Sequence, residues 1–202
     1  SKYAEGLVNL GITQLQANQT DEAITTYQKA IKLNSKNHKA HFRLGEAYLQ
    51  KGDAHKALET LNTALALSPG HAATLSKMAE ANIYQGNEAA GIANFQKAIH
   101  KHPEFMPAHL GLARLYDNRG DEEMAMVTLK NAINLNPKFN AGRNRLGQLA
   151  LRVDKPDQAM RYFQESLKNN PHDADALNGM SNALLQSAHE TSQDAHCSGK
   201  SI

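Results

Sequence analysis

Tryptophan is missing from the chain, aromatic residues make up only 5% of it, and cysteine occurs once, at Cys197. A lone cysteine excludes an internal disulfide framework and any paired-cysteine metal motif. It is compatible with the cytoplasm, and it leaves a periplasmic location open if a leader was removed ahead of Ser1. Excess charge of either sign is scarce too: the formal net charge is +2, which provides no electrostatic footprint for nucleic acid. No apolar run approaches the roughly 18–20 residues of a membrane span, so no direct membrane insertion is expected. The start of the chain carries no secretory signal pattern. Catalytic signatures are lacking as well. Ser198–Lys200 reads SGK without the rest of a phosphate-binding loop, and no HExxH motif occurs. No nucleophile, base and orienting group can be assembled from the remaining residues, so the chain reads as a non-enzyme with no cofactor and no metal.

What is present is Ala and Leu in a periodic arrangement. Both lose little side-chain entropy in a helix, so an all-α fold is expected. Pro69, Pro103, Pro137 and Pro171 fall 34 residues apart, with Ser35 one period earlier. That step divides the chain into units 4–37, 38–71, 72–105, 106–139 and 140–173, followed by a last helix over 174–187. Residues 188–202 lack apolar periodicity and are expected to form a disordered polar tail. Other columns keep the step. Leu10, Leu44, Met78, Leu112, Leu146 and Met180 form an apolar one, each followed by a small residue such as Gly11, Gly45 or Gly147. Tyr27, Leu61, Phe95, Leu129 and Phe163 form a large one, and Ala23, Ala57, Gly91, Ala125 and Ala159 a small one. Small residues let helix backbones approach and large ones fill the space beside them. Gly52-Asp53, Gly86-Asn87 and Gly120-Asp121 suit a left-handed helix end followed by a cap. Thr20 is the expected cap in the first unit, and Pro156 opens a helix in the fifth.

These columns resemble the tetratricopeptide repeat over residues 4–187, with Tyr48 and Tyr116 in the family's aromatic column. His41, His109 and Arg143 depart from it where a large apolar residue is usual. The resemblance implies a right-handed superhelix of antiparallel helix pairs, a solenoid whose first helices line a concave groove that holds a peptide or helix of a partner protein.

Residues off the packing columns of the first helices are the candidate binding set: Val8, Ile12, Phe42, Arg43, Leu49, Lys77, Tyr84, Leu110, Arg114, Asn144, Arg145, Gln148 and Arg152. The early part of this set is apolar. The later part carries arginines that no nearby acidic column balances, so an acidic and apolar segment is the expected ligand. For Arg43, Glu46, Lys77 and Glu80 the competing reading is mutual pairing on a solvated face. Some members of the family clamp the C-terminal carboxylates of heat-shock chaperones with spaced Lys, Asn, Asn, Lys and Arg. The matching positions here are Val8, Ile12, Arg43, Ala73 and Lys77, which lack the asparagines, so no such clamp is expected. Two alternatives remain: a homo-oligomer formed through the apolar N-terminal end, or a piece of a larger bacterial secretion, pilus or export assembly protein. The histidines read as structural. His100 and His102 suit a helix C-terminus, and His189, His196 and Cys197 lie in the tail.

Overall fold

The computed structural model describes residues 2–198. Among them are eleven α-helices: α1 (Lys2–Gln16), α2 (Thr20–Leu33), α3 (His38–Lys51), α4 (Ala54–Leu67), α5 (Ala72–Tyr84), α6 (Glu88–Lys101), α7 (Met106–Asn118), α8 (Glu122–Leu135), α9 (Asn140–Arg152), α10 (Pro156–Asn169) and α11 (Ala174–Ser198). The described residues contain no strand, and no helix is long and apolar enough to cross a membrane. The repeat sets the helix starts. The odd-numbered helices from α3 onward begin at 38, 72, 106, 140 and 174, and the even-numbered ones at 20, 54, 88, 122 and 156.

Local chemistry explains the boundaries. Pro disfavours the helical region for the residue before it, and the residues before Pro69, Pro103, Pro137 and Pro171 are the C-caps Ser68, His102, Asn136 and Asn170. Each of these still donates its backbone N–H to the carbonyl four residues back, which closes the last turn. Between the two helices of a unit, Gly52, Gly86 and Gly120 adopt positive φ. Asn18 and Asp154 adopt it in the first and fifth units, as these two residue types tolerate the left-handed region. Asp53 and Asn87 then cap α4 and α6 by accepting from Lys56 N and Ala90 N, each at 3.1 Å. Two expected caps differ. Thr20 is the first residue of α2, and Gln19 occupies the cap position without a side-chain bond. Asp121 sits at the cap of α8, but its carboxylate turns to Arg119 Nε at 3.2 Å.

The helices form two compact units, one ending at Leu112 and the other starting at Ala113. In the first, Val8, Ala23, Ile24, Tyr27, Ala30 and Leu44 make one buried cluster, and Phe42, Ala57, Leu61, Ala64 and Met78 make another. In the second, Phe163 is buried among Ala150, Ala159, Ala176 and Ala183. Leu10 departs from its column. It is 49% exposed, whereas Leu44 and Met78 are buried. Leu44 packs with residues of α2, the second helix of the preceding repeat; among the described residues no helix precedes α1 to cover Leu10. The last helix also differs from expectation, because its backbone continues past 187 to Ser198. Ala188, Glu190, Gln193 and Ala195 are good helix formers, which suits that continuation. Residues 199–202 of the expected tail lie outside the described residues.

The histidines in the apolar column are satisfied. His41 Nε2 lies 2.9 Å from the Ser35 carbonyl and His109 Nε2 2.8 Å from the Pro103 carbonyl, two acceptors from one column. His71 caps α5: its Nδ1 accepts from Thr74 N at 3.3 Å, and the Thr74 hydroxyl lies 2.8 Å from the same nitrogen. The His38 and Phe42 rings meet it edge-on at 5.3 and 5.5 Å. Burial lowers the His71 pKa below the ordinary value, and the charges of His38 and His102 push it the same way. A depressed pKa means that the native state resists the proton. The contribution to stability is therefore full above the unfolded imidazole value and is lost as pH falls through the lower folded one. Thermal unfolding is expected to show about 1 kcal/mol less stability in mildly acidic than in neutral buffer from loss of this cap. His71→Asn, which caps without titrating, is expected to flatten that dependence.

Candidate protein-binding groove

In the first unit α1, α3 and α5 expose a hollow of about 450 Å³. Ile12 and Leu15 come from α1, Arg43, Glu46 and Leu49 from α3, and Lys77, Glu80 and Tyr84 from α5. The helical period explains the set: positions 12, 46 and 80 are one column of the repeat, and positions 43 and 77 another. Tyr84 is 72% exposed. Arg43 donates to Glu46 at 2.7 Å, and Lys77 Nζ lies 2.9 Å from Glu80 Oε2, so each helix closes its own pair. The side chain of Glu46 is only 19% exposed, so this pair is not on a freely solvated face.

Tyr27 of α2 reaches the same hollow. Its ring packs against α1 at Gly11, where an added Cβ would collide with it. Its hydroxyl is buried without a hydrogen-bond partner among the described residues. Burial pushes the phenol up to about 12, against a lowering by Arg43 and with a smaller push from Glu46, so it remains a protonated donor. Its place in the packing column of the sequence agrees with its full burial.

Of the candidate set, Ile12, Arg43, Leu49, Lys77 and Tyr84 meet at this hollow. Val8 and Phe42 do not: both are buried in the two apolar clusters, where large apolar side chains leave more water than they would on an open face. Leu110 is half-buried and Arg114 exposed on α7.

In the second unit Arg145 and Arg152 are not unbalanced. Asp117, in the last turn of α7, has a side chain only 2% exposed, and its two carboxylate oxygens accept from Arg145 and Arg152 respectively. Arg145 also donates to Gln148 Oε1 at 3.0 Å, and Arg152 lies 3.8 Å from Glu122. Asn144 is buried and donates to Asp173 at 3.0 Å, while Asp173 caps α11 by accepting from Ala176 N at 3.1 Å. Asn144, Arg145, Gln148 and Arg152 are thus engaged in joining α7, α9 and α11. Among the described residues no three His, Cys, Asp or Glu side chains are grouped so as to hold a metal ion.

Comparison with known proteins bears on this arrangement. Residues 8–72 and 144–188 match one tetratricopeptide repeat family model, and residues 82–149 match another. No curated protein matches the chain. Among solved structures, a thermophilic TPR protein of Thermus thermophilus superposes with a TM-score of 0.70 at 23% identity, covering 90% of this chain and 99% of that one. PilW, described as a widely conserved type IV pilus biogenesis factor, gives 0.71 at 20% identity over 94% of this chain and 92% of its own. YrrB, described as a TPR protein with an unusual peptide-binding site, gives 0.59 at 15% identity over 87% and 90%. At these identities the likeness is one of fold.

Proposed function

Because the chain belongs to the tetratricopeptide repeat family, whose fold serves generally as a protein-interaction scaffold, we propose that it holds a segment of a partner protein in the groove of α1, α3 and α5 and catalyses no reaction. The observation that carries this reading is the hollow itself: an exposed Tyr84 beside Ile12, Leu15 and Leu49, with the Arg43–Glu46 and Lys77–Glu80 pairs along it. An aromatic anchor beside aliphatic residues, ringed by polar groups, is how binding hot spots are commonly built. The peptide-binding site named for YrrB supports the reading by analogy of fold.

Proteins retained by the immobilised chain are expected to drop about tenfold on Leu49→Glu with Tyr84→Ala, equivalent to about 1.4 kcal/mol. Helical circular dichroism should be preserved, and Asn62→Ala, on the outer side of α4, should leave retention unchanged. Retention that ignores the double variant would sink the groove reading. If the chain instead sediments as a dimer that Leu10→Glu dissociates, self-association through α1 becomes the better account of its exposed leucine.

A further inference from the structure

The charges of the first-unit groove are sorted by column. Arg43 and Lys77 occupy one column, and Glu46 and Glu80 the column three residues on. Each cation lies close to its own anion, at 2.7 and 2.9 Å. The groove therefore carries a positive row and a negative row running side by side, and its formal charges cancel. Beside the rows lie the apolar surfaces of Ile12, Leu15, Leu49 and Tyr84.

Resting on the groove reading above, we infer that the occupant is a protein segment of mixed charge, with carboxylates over Arg43 and Lys77, cations over Glu46 and Glu80, and an apolar side chain on Leu49 and Tyr84. A purely acidic segment meets Glu46 and Glu80 as like charges, and a purely basic one meets Arg43 and Lys77. Either would also weaken the two internal pairs. A segment carrying both signs extends them instead. A guanidinium has five N–H donors and an ammonium three, so Arg43 and Lys77 can each take a second carboxylate without releasing the first. Glu46 and Glu80 likewise have lone pairs to spare. Each row then gains a partner of opposite sign, and a complementary potential of this kind contributes more to specificity than to raw affinity.

Three fluorescent synthetic peptides test this, all with blocked ends and the same Leu and Phe anchors. One carries equal numbers of Glu and Lys, one Glu only, and one Lys only. Anisotropy titrations are expected to rank the mixed peptide at least tenfold tighter than either of the others. Glu46→Lys with Glu80→Lys is expected to transfer that preference to the Glu-only peptide. Glu46→Gln with Glu80→Gln, a milder change of shape, should reduce the mixed peptide's advantage without loss of helicity. Equal binding of all three, abolished by Tyr84→Ala, would overturn the mixed-charge inference and leave the groove reading intact. Tighter binding of either single-sign peptide to the unaltered chain would overturn it likewise. Absence of any Tyr84-dependent binding would overturn both.

Discussion

Phe163→Ala is expected to destabilise the second unit by about 3–5 kcal/mol, toward the upper end for a buried aromatic. The ring is fully buried, and its neighbours explain why the cost should be high. It lies between Gly147 on α9 and Gly179 on α11, where an added Cβ on Gly147 would sit 2.5 Å from a ring carbon. Glycines have no side chain to lean into the cavity that alanine would leave. Phe163→Leu is expected to cost less than about 1.5 kcal/mol, because Leu61 and Leu129 already fill this column in other units. Repeat arrays can unfold in parts, so the measurement is amide hydrogen exchange resolved along the chain. Protection should fall in α9, α10 and α11 and hold in α1 to α5. An alanine variant that exchanges like the leucine variant would show that the ring does not hold this packing together.

Asp117→Ala is expected to cost about 2–3 kcal/mol, somewhat below the range for breaking a fully buried ion pair. The carboxylate is buried, but Arg145 and Arg152 keep 32% and 51% exposure and recover part of their hydration when it is removed. What remains is two cations facing one another across the site. Their repulsion gives the prediction its signature. Asp117→Leu combined with Arg145→Met should recover much of the loss, since an apolar replacement of a buried pair is often neutral. Asp117→Ala and Arg145→Ala should cost less together than the sum of the single changes. Denaturation curves of the single and double variants beside the unaltered chain decide it. Strict additivity would mean that Asp117 and Arg145 do not interact.

Asp117 also marks where sequence reasoning ended. The packing columns were legible because helix contacts repeat with the unit: Gly45 against Leu61 and Gly147 against Phe163 use corresponding positions. An ion pair follows side-chain reach and not register. The partners of Asp117 lie 28 and 35 residues away, and neither step equals the repeat. Comparing columns therefore found no acid opposite the arginines, although one was there. Val8 and Phe42 are absent from the hollow for a different reason. Their column flanks the groove, but a large apolar side chain there turns into the adjacent core, while Ile12, one helical turn after Val8, stays at the surface of the hollow. Leu10 shows the reverse: its column is buried at Leu44 and Met78, yet Leu10 itself is 49% exposed on α1.

The constancy of the helix starts has a consequence for how such a chain can change over generations. Helices begin at 20, 54, 88, 122 and 156 although the turns that precede them are built from different residues, with Asn18 and Asp154 standing where Gly52, Gly86 and Gly120 do the same work elsewhere. Loss or duplication of one whole unit leaves every remaining small residue opposite its large one, whereas an insertion of any other length in a helix turns part of that helix's packing face away from its neighbours. Length is thus inherited in steps of one unit. Each step adds or removes one rung of groove chemistry, such as Arg43 with Glu46 or Lys77 with Glu80, without disturbing the packing of the rest. Binding preference in this architecture can drift by substitution or jump by a rung.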